Sequence, residues 1–441
     1  MALPPYVSVS DRVRQPSSAA EPKLGYFQTL RGDVGTRTRG WIRMSYEKVF
    51  VPYGAYWSTP FARWQGSLSQ RHSLELAAEI GSAALASREI DPSDFDGLLL
   101  GITVPQNASF YGAPWVAGMI GAPTITGPTV SQACATSVSM LSIAAHEVEC
   151  GQHESLLNIA ADRTSNGPHI YYPDPSGPGG KGISEDPVWD NFGRDPWAGE
   201  AMSSTAENVA SKEGISREEQ DAMTLLRYEQ YENALADGCA FQRRYMVPVE
   251  LRRGRRIIGT LEQDEGVHPT SEDGLAKLRP VVEGGVVTFG SQTHPADGNA
   301  GLVVCTEERA KELSSDSGVS IRLRAFGTAR VGKGLMPTAA VPAAQNALDA
   351  AGVTIEDCAG IKTHNPFAIN DVYFCRQFGL QPEKVNRYGS SLIWGHPQAP
   401  TGLRAVIELI EELVLGGGGH GLFSGCAAGD SAMAVVVEVE C

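Results

Sequence analysis

Two side chains far apart in the sequence have the chemistry of a nucleophile and its base. Cys134 lies in the small, polar segment Ser131–Ser137, directly before a stretch with helical periodicity. A thiol at a helix N-terminus has its thiolate stabilised by the helix dipole and by free backbone N–H groups. His396, between Gly395 and Pro397, also precedes a helical stretch, and a nearby imidazole would take the thiol proton. Taken alone, a cysteine is more often an inert core residue and a His-Pro pair a turn.

An internal repeat at low identity brings these two residues to equivalent positions. A helical stretch, an Asp-x-x-Gly turn and an apolar strand occur twice, with the turns ending at Gly97 and Gly360. The distance along the chain between these glycines equals, within one residue, the distance between Cys134 and His396. Strands that alternate with helices in two copies predict two βαβ-rich halves related by pseudo-symmetry. Both turns are therefore expected to meet at one site.

Two further segments join this candidate site. His364 ends the second-half strand that corresponds to Leu98–Ile102 in the first half, and ligands of α/β sheets bind at such strand ends. Cys426, between Gly425 and Gly429, is expected in a tight glycine-rich turn before an apolar strand. That turn could present a second thiol and a backbone N–H toward the first thiol.

Composition excludes several classes of protein. The 51 acidic and 36 basic residues give a net charge of −15, which argues against nucleic acid as a partner. No run approaches the roughly 18 apolar residues of a membrane helix. The eight cysteines form no C-x-x-C pair and no zinc spacing with histidine, so neither a metal site nor a disulfide framework is predicted. With no secretory signal visible, a cytoplasmic location is expected.

Four segments, in the right order, resemble the catalytic loops of the thiolase superfamily. They are Cys134-Ala135-Thr136-Ser137, His364-Asn365-Pro366-Phe367, Gly395-His396-Pro397 and Cys426-Ala427-Ala428. The resemblance runs from about Val49 to Glu440, with supporting blocks that include Thr59-Pro60-Phe61 and Leu275 to Pro280. It implies an α/β fold in which duplicated βαβαβ halves form a five-layered αβαβα core with an inserted loop domain.

The chain divides into four parts on this view. Residues 1–46 are rich in Arg, Ser, Pro and Gly and are expected to be a flexible N-terminal extension. Residues 47–165 and 200–310 form the N-terminal half, and residues 311–441 form the C-terminal half. Residues 166–199 form the variable loop insertion that, in the family, shapes the acyl pocket.

The resemblance implies an acyl-CoA acyltransferase that performs reversible Claisen-type thiolysis and condensation of 3-ketoacyl-CoA. Cys134 would become acylated, and His396 would activate it and donate to a thioester oxygen. Cys426 would move a proton to or from the substrate α-carbon, and His364 would help bind the developing oxyanion. The backbone N–H groups of Cys134 and Ala428 would form a second oxyanion hole.

Several positions depart from the family pattern. His364 stands where most members carry Asn, and Ala428 replaces the usual Gly. No permanently bound cofactor is expected, and coenzyme A is a substrate. The resemblance implies two contacts to coenzyme A: Thr293 stands where a Ser commonly touches pantetheine, and the basic residue near the adenine corresponds to His268 or Val267.

Alternative functions remain open from the sequence. A condensing synthase of the same fold is disfavoured by Cys426, and a carbon–carbon lyase is disfavoured by Cys134. A non-catalytic acyl-CoA carrier is the third alternative. A homodimer or dimer of dimers is expected, and a small OB-fold, zinc-ribbon accessory protein is a possible partner. The insertion contains four large aromatic residues, Tyr171, Tyr172, Trp189 and Trp197. They suit a bulky acyl group, but packing of the loop onto the core is the favoured interpretation.

Overall fold

The computed structural model of the protein describes residues 45–441. Its strands are β1 Tyr56–Ser58, β2 Ala62–Arg63, β3 Gly97–Gly101, β4 Thr129–Val130, β5 Ser155–Arg163, β6 Ile170–Tyr172, β7 Ile183–Glu185, β8 Val249–Arg253, β9 Arg256–Leu261, β10 Ala296–Cys305, β11 Ser320–Arg330, β12 Cys358–His364, β13 Gly419–Ala427 and β14 Ser431–Glu440. Its helices are α1 Ser73–Ala86, α2 Gly112–Ile120, α3 Thr136–Glu149, α4 Trp189–Gly193, α5 Met202–Glu213, α6 Arg217–Ala234, α7 Ala236–Cys239, α8 Glu272–Ala276, α9 Glu307–Leu313, α10 Ala340–Ala351, α11 Ala368–Phe378, α12 Ser391–Trp394 and α13 Ala399–Leu415.

The predicted N-terminal extension lies outside the described residues except for its last two positions. Ser45 forms a β-bridge with Ala325, and the N–H of Tyr46 donates to the carbonyl of Arg324 at 2.8 Å. These two residues therefore belong to the folded body. No helix within residues 45–441 has the length and apolarity needed to cross a bilayer.

Two sheets with matching strand orders form the centre of the fold. The first has the order β1-β10-β5-β3-β4, and the second has the order β11-β14-β13-β12. In each sheet, the first strand pairs antiparallel with the second, and the second pairs antiparallel with the third. The third strand then pairs parallel with the fourth: β5 with β3 in the first sheet, and β13 with β12 in the second. The predicted duplication is thus visible as two sheets of the same topology.

Helices and sheets alternate in five layers. Helices α1 and α2 cover the outer face of the first sheet, and α10 covers the outer face of the second, with α11 beside it. Helices α3 and α13 contact each other and lie between the two sheets. Since α3 follows Cys134 and α13 follows His396, both candidate residues lie at the start of a central helix. The predicted α/β architecture is confirmed.

Helix α13 is buried on all sides, so its charged residues need partners inside the protein. Arg404 makes two hydrogen bonds to the carboxylate of Asp264, at 2.6 and 2.8 Å. Glu408 accepts from Lys362 Nζ at 2.6 Å. These paired charges fix the rotation of the helix about its axis, because any turn would leave a buried charge without its partner.

The insertion, residues 166–199, contains the small hairpin β6–β7 and helix α4, and the helical pair α5–α6 follows it. A capping box forms at the start of α6. Ser216 Oγ accepts from the N–H of Glu219 at 3.2 Å, and the Glu219 carboxylate accepts from the N–H of Ser216 at 2.8 Å. These two bonds satisfy two of the N–H groups that a helix start leaves free.

Candidate active site

Cys134 lies in the tight turn between β4 and α3. The preceding residue, Ala133, has φ 44°, a left-handed conformation that is rare outside glycine. This turn points the sulfur across the gap between the two central helices. Cys134 Sγ lies 3.1 Å from Nε2 of His396, so the structure brings the two predicted residues together as a nucleophile and base would be arranged.

His396 lies between the short helix α12 and α13. The helical turn α12 occupies the place that β4 has in the first half. Gly395, with φ 97°, makes the sharp entry possible. A Cβ atom there would lie 2.7 Å from Nε2 of His294 and 3.0 Å from the Cβ of Ala296, so both the backbone angle and the space favour glycine.

The resting thiol and imidazole are both neutral. Burial raises the pKa of the Cys134 thiol to about 11, although the backbone N–H groups of Ala428 and of Cys134 itself face the sulfur and oppose that rise. Burial, together with His364 and His294, lowers the pKa of His396 well below its usual range. His396 Nδ1 lies 2.6 Å from Thr401 Oγ1, which can accept its proton and leave the Nε2 lone pair facing the thiol.

His364 lies at the end of β12, as predicted, and its ring lies beside that of His396. The ring centroids are 4.2 Å apart at an interplanar angle of 38°. Burial lowers the pKa of His364 to about 3, so the ring is neutral. Its Nδ1 lies 2.7 Å from Ser391 Oγ, whereas its Nε2 is buried with no hydrogen-bond partner among residues 45–441. A buried nitrogen without a partner is available to a bound group.

No metal site is predicted from the sequence, but three side chains with metal-binding donor atoms lie close together around Cys134. The sulfur of Cys134 and one ring nitrogen each of His364 and His396 lie within 4.8 Å of one another. Thiolate and imidazole are donors that soft metal ions prefer. However, the 3.1 Å separation of Sγ and Nε2 is a hydrogen-bond distance, which favours a nucleophile–base pair.

Cys426 is the second-to-last residue of strand β13. The expectation that it sits in the glycine-rich turn is wrong, because Cys426 pairs with Ala432 across the β13–β14 ladder. Its side chain is fully buried, and Asn370 Nδ2 donates to its sulfur at 3.2 Å. Burial and the nearby Cys134 sulfur raise the pKa of the Cys426 thiol well above its usual range.

A cavity of about 750 Å³ opens above the nucleophile. Cys134, His396 and Ala428 line it, whereas His364 and Cys426 lie buried behind its floor. The two predicted CoA contacts, Thr293 and the exposed His268, also line the cavity. Its walls include eight large apolar side chains: Trp64, Trp189, Phe192, Met202, Met336, Phe367, Leu392 and Ile393.

The aromatic residues of the insertion have different surroundings. Trp189 faces the cavity, with Trp64 at 5.7 Å between ring centroids and Phe192 at 6.2 Å, both edge to face. Trp197 instead lies under the ammonium group of Lys333, at 3.9 Å from its ring centroid. Tyr171 and Tyr172 are exposed on the β6–β7 hairpin. Only Trp189 of the four named aromatics thus lines the cavity.

Asp162, near the end of β5, hydrogen-bonds to the start of α13. The sequence does not predict a role for this residue. Its carboxylate accepts from the N–H of Ala399 at 2.8 Å, from the N–H and hydroxyl of Thr103 at 2.9 and 2.7 Å, and from the N–H of Val104 at 2.9 Å. Burial nevertheless raises the pKa of Asp162 to about 7. Nothing in the spacing of a lone Asp-Arg pair predicts this convergence of donors.

Two family models together match nearly all of the described chain. "Thiolase, N-terminal domain" matches residues 55–308, and "Thiolase, C-terminal domain" matches residues 318–439. The chain belongs to the thiolase family. The superfamily identified from the four catalytic segments is therefore confirmed.

Curated relatives and solved structures agree with this assignment. Acetyl-CoA acetyltransferase of Escherichia coli is 28% identical over 86% of this chain and 96% of the relative, and acetyl-CoA acetyltransferase IA of Candida tropicalis is 29% identical over 86% and 95%. The human mitochondrial 3-ketoacyl-CoA thiolase in complex with CoA superposes with a TM-score of 0.81 at 26% identity, covering 90% of this chain and 99% of the other. The Bacillus anthracis acetyl-CoA acetyltransferase superposes with a TM-score of 0.82 at 26% identity, covering 90% of this chain and 99% of the other. The chain is an acyltransferase of the thiolase type, as predicted.

Proposed function

We propose that the protein catalyses reversible transfer of an acyl group between a 3-ketoacyl-CoA and coenzyme A, through an acyl-enzyme on Cys134. The observation that carries this proposal is the 3.1 Å contact between Cys134 Sγ and His396 Nε2 at the floor of the cavity. The relatives named for acyl transfer on CoA esters support the substrate class. CoA is a substrate and enters the cavity beside Thr293 and His268.

In the acylation half of the reaction, His396 removes the thiol proton as the sulfur attacks the ketone carbon. The substrate oxygen becomes an oxyanion at this moment. The backbone N–H groups of Cys134 and Ala428, which face the sulfur in the free enzyme, are placed to donate to it. Donors that are aligned before the reaction stabilise the transition state without reorganisation.

In the carbon–carbon half of the reaction, Cys426 donates a proton to the α-carbon of the leaving acetyl-CoA enolate. In condensation it removes that proton. Its raised pKa keeps the thiol protonated, which suits an acid in thiolysis. His364 Nε2, which has no partner among the described residues, and His396 donate to the enolate oxygen. This role requires Ser391 to donate its hydroxyl hydrogen to His364 Nδ1, along the 2.7 Å contact.

Intact-protein mass spectrometry tests this proposal directly. Wild-type protein incubated with acetyl-CoA or acetoacetyl-CoA, and with a panel of bulkier acyl-CoA esters, should gain the mass of one acyl group. Added CoA should remove the adduct. A Cys134→Ser variant should gain no adduct that CoA can remove, because its hydroxyl is a far weaker nucleophile than the thiol. Failure of the wild type to form an adduct with any ester would contradict the proposal.

The aromatic wall of the cavity favours acyl groups that are larger than acetoacetyl. Trp189→Ala is expected to raise KM for a ring-containing 3-ketoacyl-CoA by about tenfold, because one aromatic contact to the acyl group is lost. KM for acetoacetyl-CoA should change less than about twofold, since its short acyl chain has little surface to place against an indole. Steady-state kinetics on both substrates measure this difference.

Trp197→Ala is the matched control for the indole of the cavity wall. It removes an indole from the same insertion, but one that contacts Lys333 and does not line the cavity. The ratio of the two KM values should therefore stay that of the wild type. Equal changes of both KM values in the Trp189 variant would show that Trp189 only packs the loop.

Three expectations stay predictions: assembly as a homodimer or dimer of dimers, binding of an accessory OB-fold protein, and a cytoplasmic location. The absence of nucleic-acid partners is likewise an expectation from the net charge of −15.

A further inference from the structure

Gln398 contacts the nucleophile, and nothing in the reaction described above uses it. Among residues 45–441, the side chains hydrogen-bonded to Cys134 Sγ are those of His396 and Gln398. Gln398 Oε1 lies 3.4 Å from the sulfur. Because hydrogen bonds to sulfur are long, this is a distance at which a thiol donates to a carbonyl oxygen. The buried Gln398 side chain also lines the cavity.

The backbone of Gln398 is strained and is held from several directions. Its φ of 65° and ψ of −101° fall where residues other than glycine are rarely found. The N–H of Ala399 donates to Asp162 at 2.8 Å, and the carbonyl of Ala399 accepts from Ser137 Oγ. The N–H of Thr401 donates to the carbonyl of Gln398 at 3.2 Å. Glycine would adopt this conformation at lower cost, so the side chain is the feature that requires a function.

We propose that Gln398 is a further catalytic residue: its amide oxygen competes with His396 for the Cys134 thiol hydrogen in the free enzyme until an acyl-CoA enters. This inference rests on the proposed function, which makes Cys134 the nucleophile. A thiol has a single hydrogen, so Gln398 and His396 compete for it. The negative end of the amide dipole also favours the neutral thiol over the thiolate.

Entry of the substrate ends this competition. The acyl-CoA displaces the amide oxygen from the sulfur, and the thiol proton passes to His396 Nε2. The electron pair of the broken S–H bond forms the new bond from sulfur to the substrate carbonyl carbon. The π electrons of the carbonyl group move to its oxygen, which the backbone N–H groups of Cys134 and Ala428 face. Gln398 thereby lowers the reactivity of the thiol in the absence of substrate.

Alkylation of Cys134 by iodoacetamide tests the proposal without any CoA ester. The full-length wild type, Gln398→Met and Gln398→Glu are compared as a function of pH, and the modified Cys134 peptide is quantified by mass spectrometry. Both replacements keep an unbranched side chain of the same length, so the backbone strain is the same. The titratable groups facing the sulfur are unchanged in all three proteins: His364, His396, Asp162 and Cys426.

The two variants should change the rate in opposite directions. Gln398→Met should speed alkylation at neutral pH by roughly two- to fivefold and shift the pH profile downward, because the protonated thiol loses a hydrogen-bond acceptor. Gln398→Glu should slow alkylation once its carboxylate is ionised, because a negative charge beside the sulfur disfavours the thiolate. A merely structural role would not produce effects of opposite sign.

Gln292→Met is the matched control. Gln292 also lines the cavity, but its side chain makes no hydrogen bond to Cys134 among the described residues, so the alkylation rate should equal that of the wild type. Wild-type rates and pH profiles in both Gln398 variants would overturn the proposal. If Gln398→Met does not fold, as judged by circular dichroism, Gln398→Leu, which also lacks the amide oxygen, takes its place and should speed alkylation in the same way. Failure of the proposed function would appear separately, as a wild type that forms no acyl-enzyme.

Discussion

Replacement of His396 by asparagine should lower kcat for thiolysis by about 10²- to 10⁴-fold, the range that a lost general base accounts for. Asparagine keeps a polar group of similar size but cannot take the Cys134 proton, which lies on a sulfur 3.1 Å from Nε2. Burial raises the pKa of that thiol to about 11, so at neutral pH almost no thiolate forms without the imidazole. Single-turnover acylation, followed by quenching and mass spectrometry, measures the loss.

The pH dependence of the wild type follows from the lowered pKa of His396. Since the pKa of His396 is lowered well below 6.5, the imidazole stays neutral as the pH falls through 6.5. It therefore remains a competent base, and kcat/KM should show no inflection near pH 6.5. Thr401→Val, which removes the partner of Nδ1, should cost only about tenfold. Retention of wild-type acylation by the asparagine variant would contradict the assignment of His396 as the base.

The pairing of Cys134 with His396 was predictable because it depends on a repeat that is visible in the sequence. Equivalent spacing places both residues before central helices, and the matching topologies of the two sheets bring those helices together. The ends of elements were less predictable. Cys426 lies within β13 and not in a turn because its pairing with Ala432 is made by long-range hydrogen bonds, whereas the local sequence, Gly425 to Gly429, is typical of a turn.

The residues that sequence reasoning missed act through contacts that no local pattern encodes. Gln398 reaches the sulfur only because its φ is 65°, an angle that a glutamine does not predict. Asn370 meets Cys426 because α11 packs beside the end of β13, and His294 fits only where Gly266 and Gly395 leave room for its ring. Each of these contacts depends on how separate elements pack.

Cys426→Ala should separate the two halves of the reaction. Acylation of Cys134 by a simple acyl-CoA exchanges one thioester for another and moves no proton at carbon, so it should proceed within about threefold of the wild-type rate. Cleavage of a 3-ketoacyl-CoA requires protonation of the leaving enolate and should fall by about 10²- to 10⁴-fold. Rapid-quench mass spectrometry with each donor measures both rates on the same variant.

Asn370→Ala tests whether the environment of the second thiol matters as well as its presence. Asn370 donates to the Cys426 sulfur at 3.2 Å and thereby opposes the rise of its pKa. Without this donor the thiolate is harder to form, so condensation, in which Cys426 must act as the base, should slow more than thiolysis, in which it acts as the acid. Exchange of the acetyl-CoA methyl protons with deuterated water reports the base step alone. If Cys426→Ala still exchanged these protons at the wild-type rate, the base would have to be another group. His364 and His396, whose ring nitrogens lie within 4.8 Å of the Cys134 sulfur, would then be the candidates.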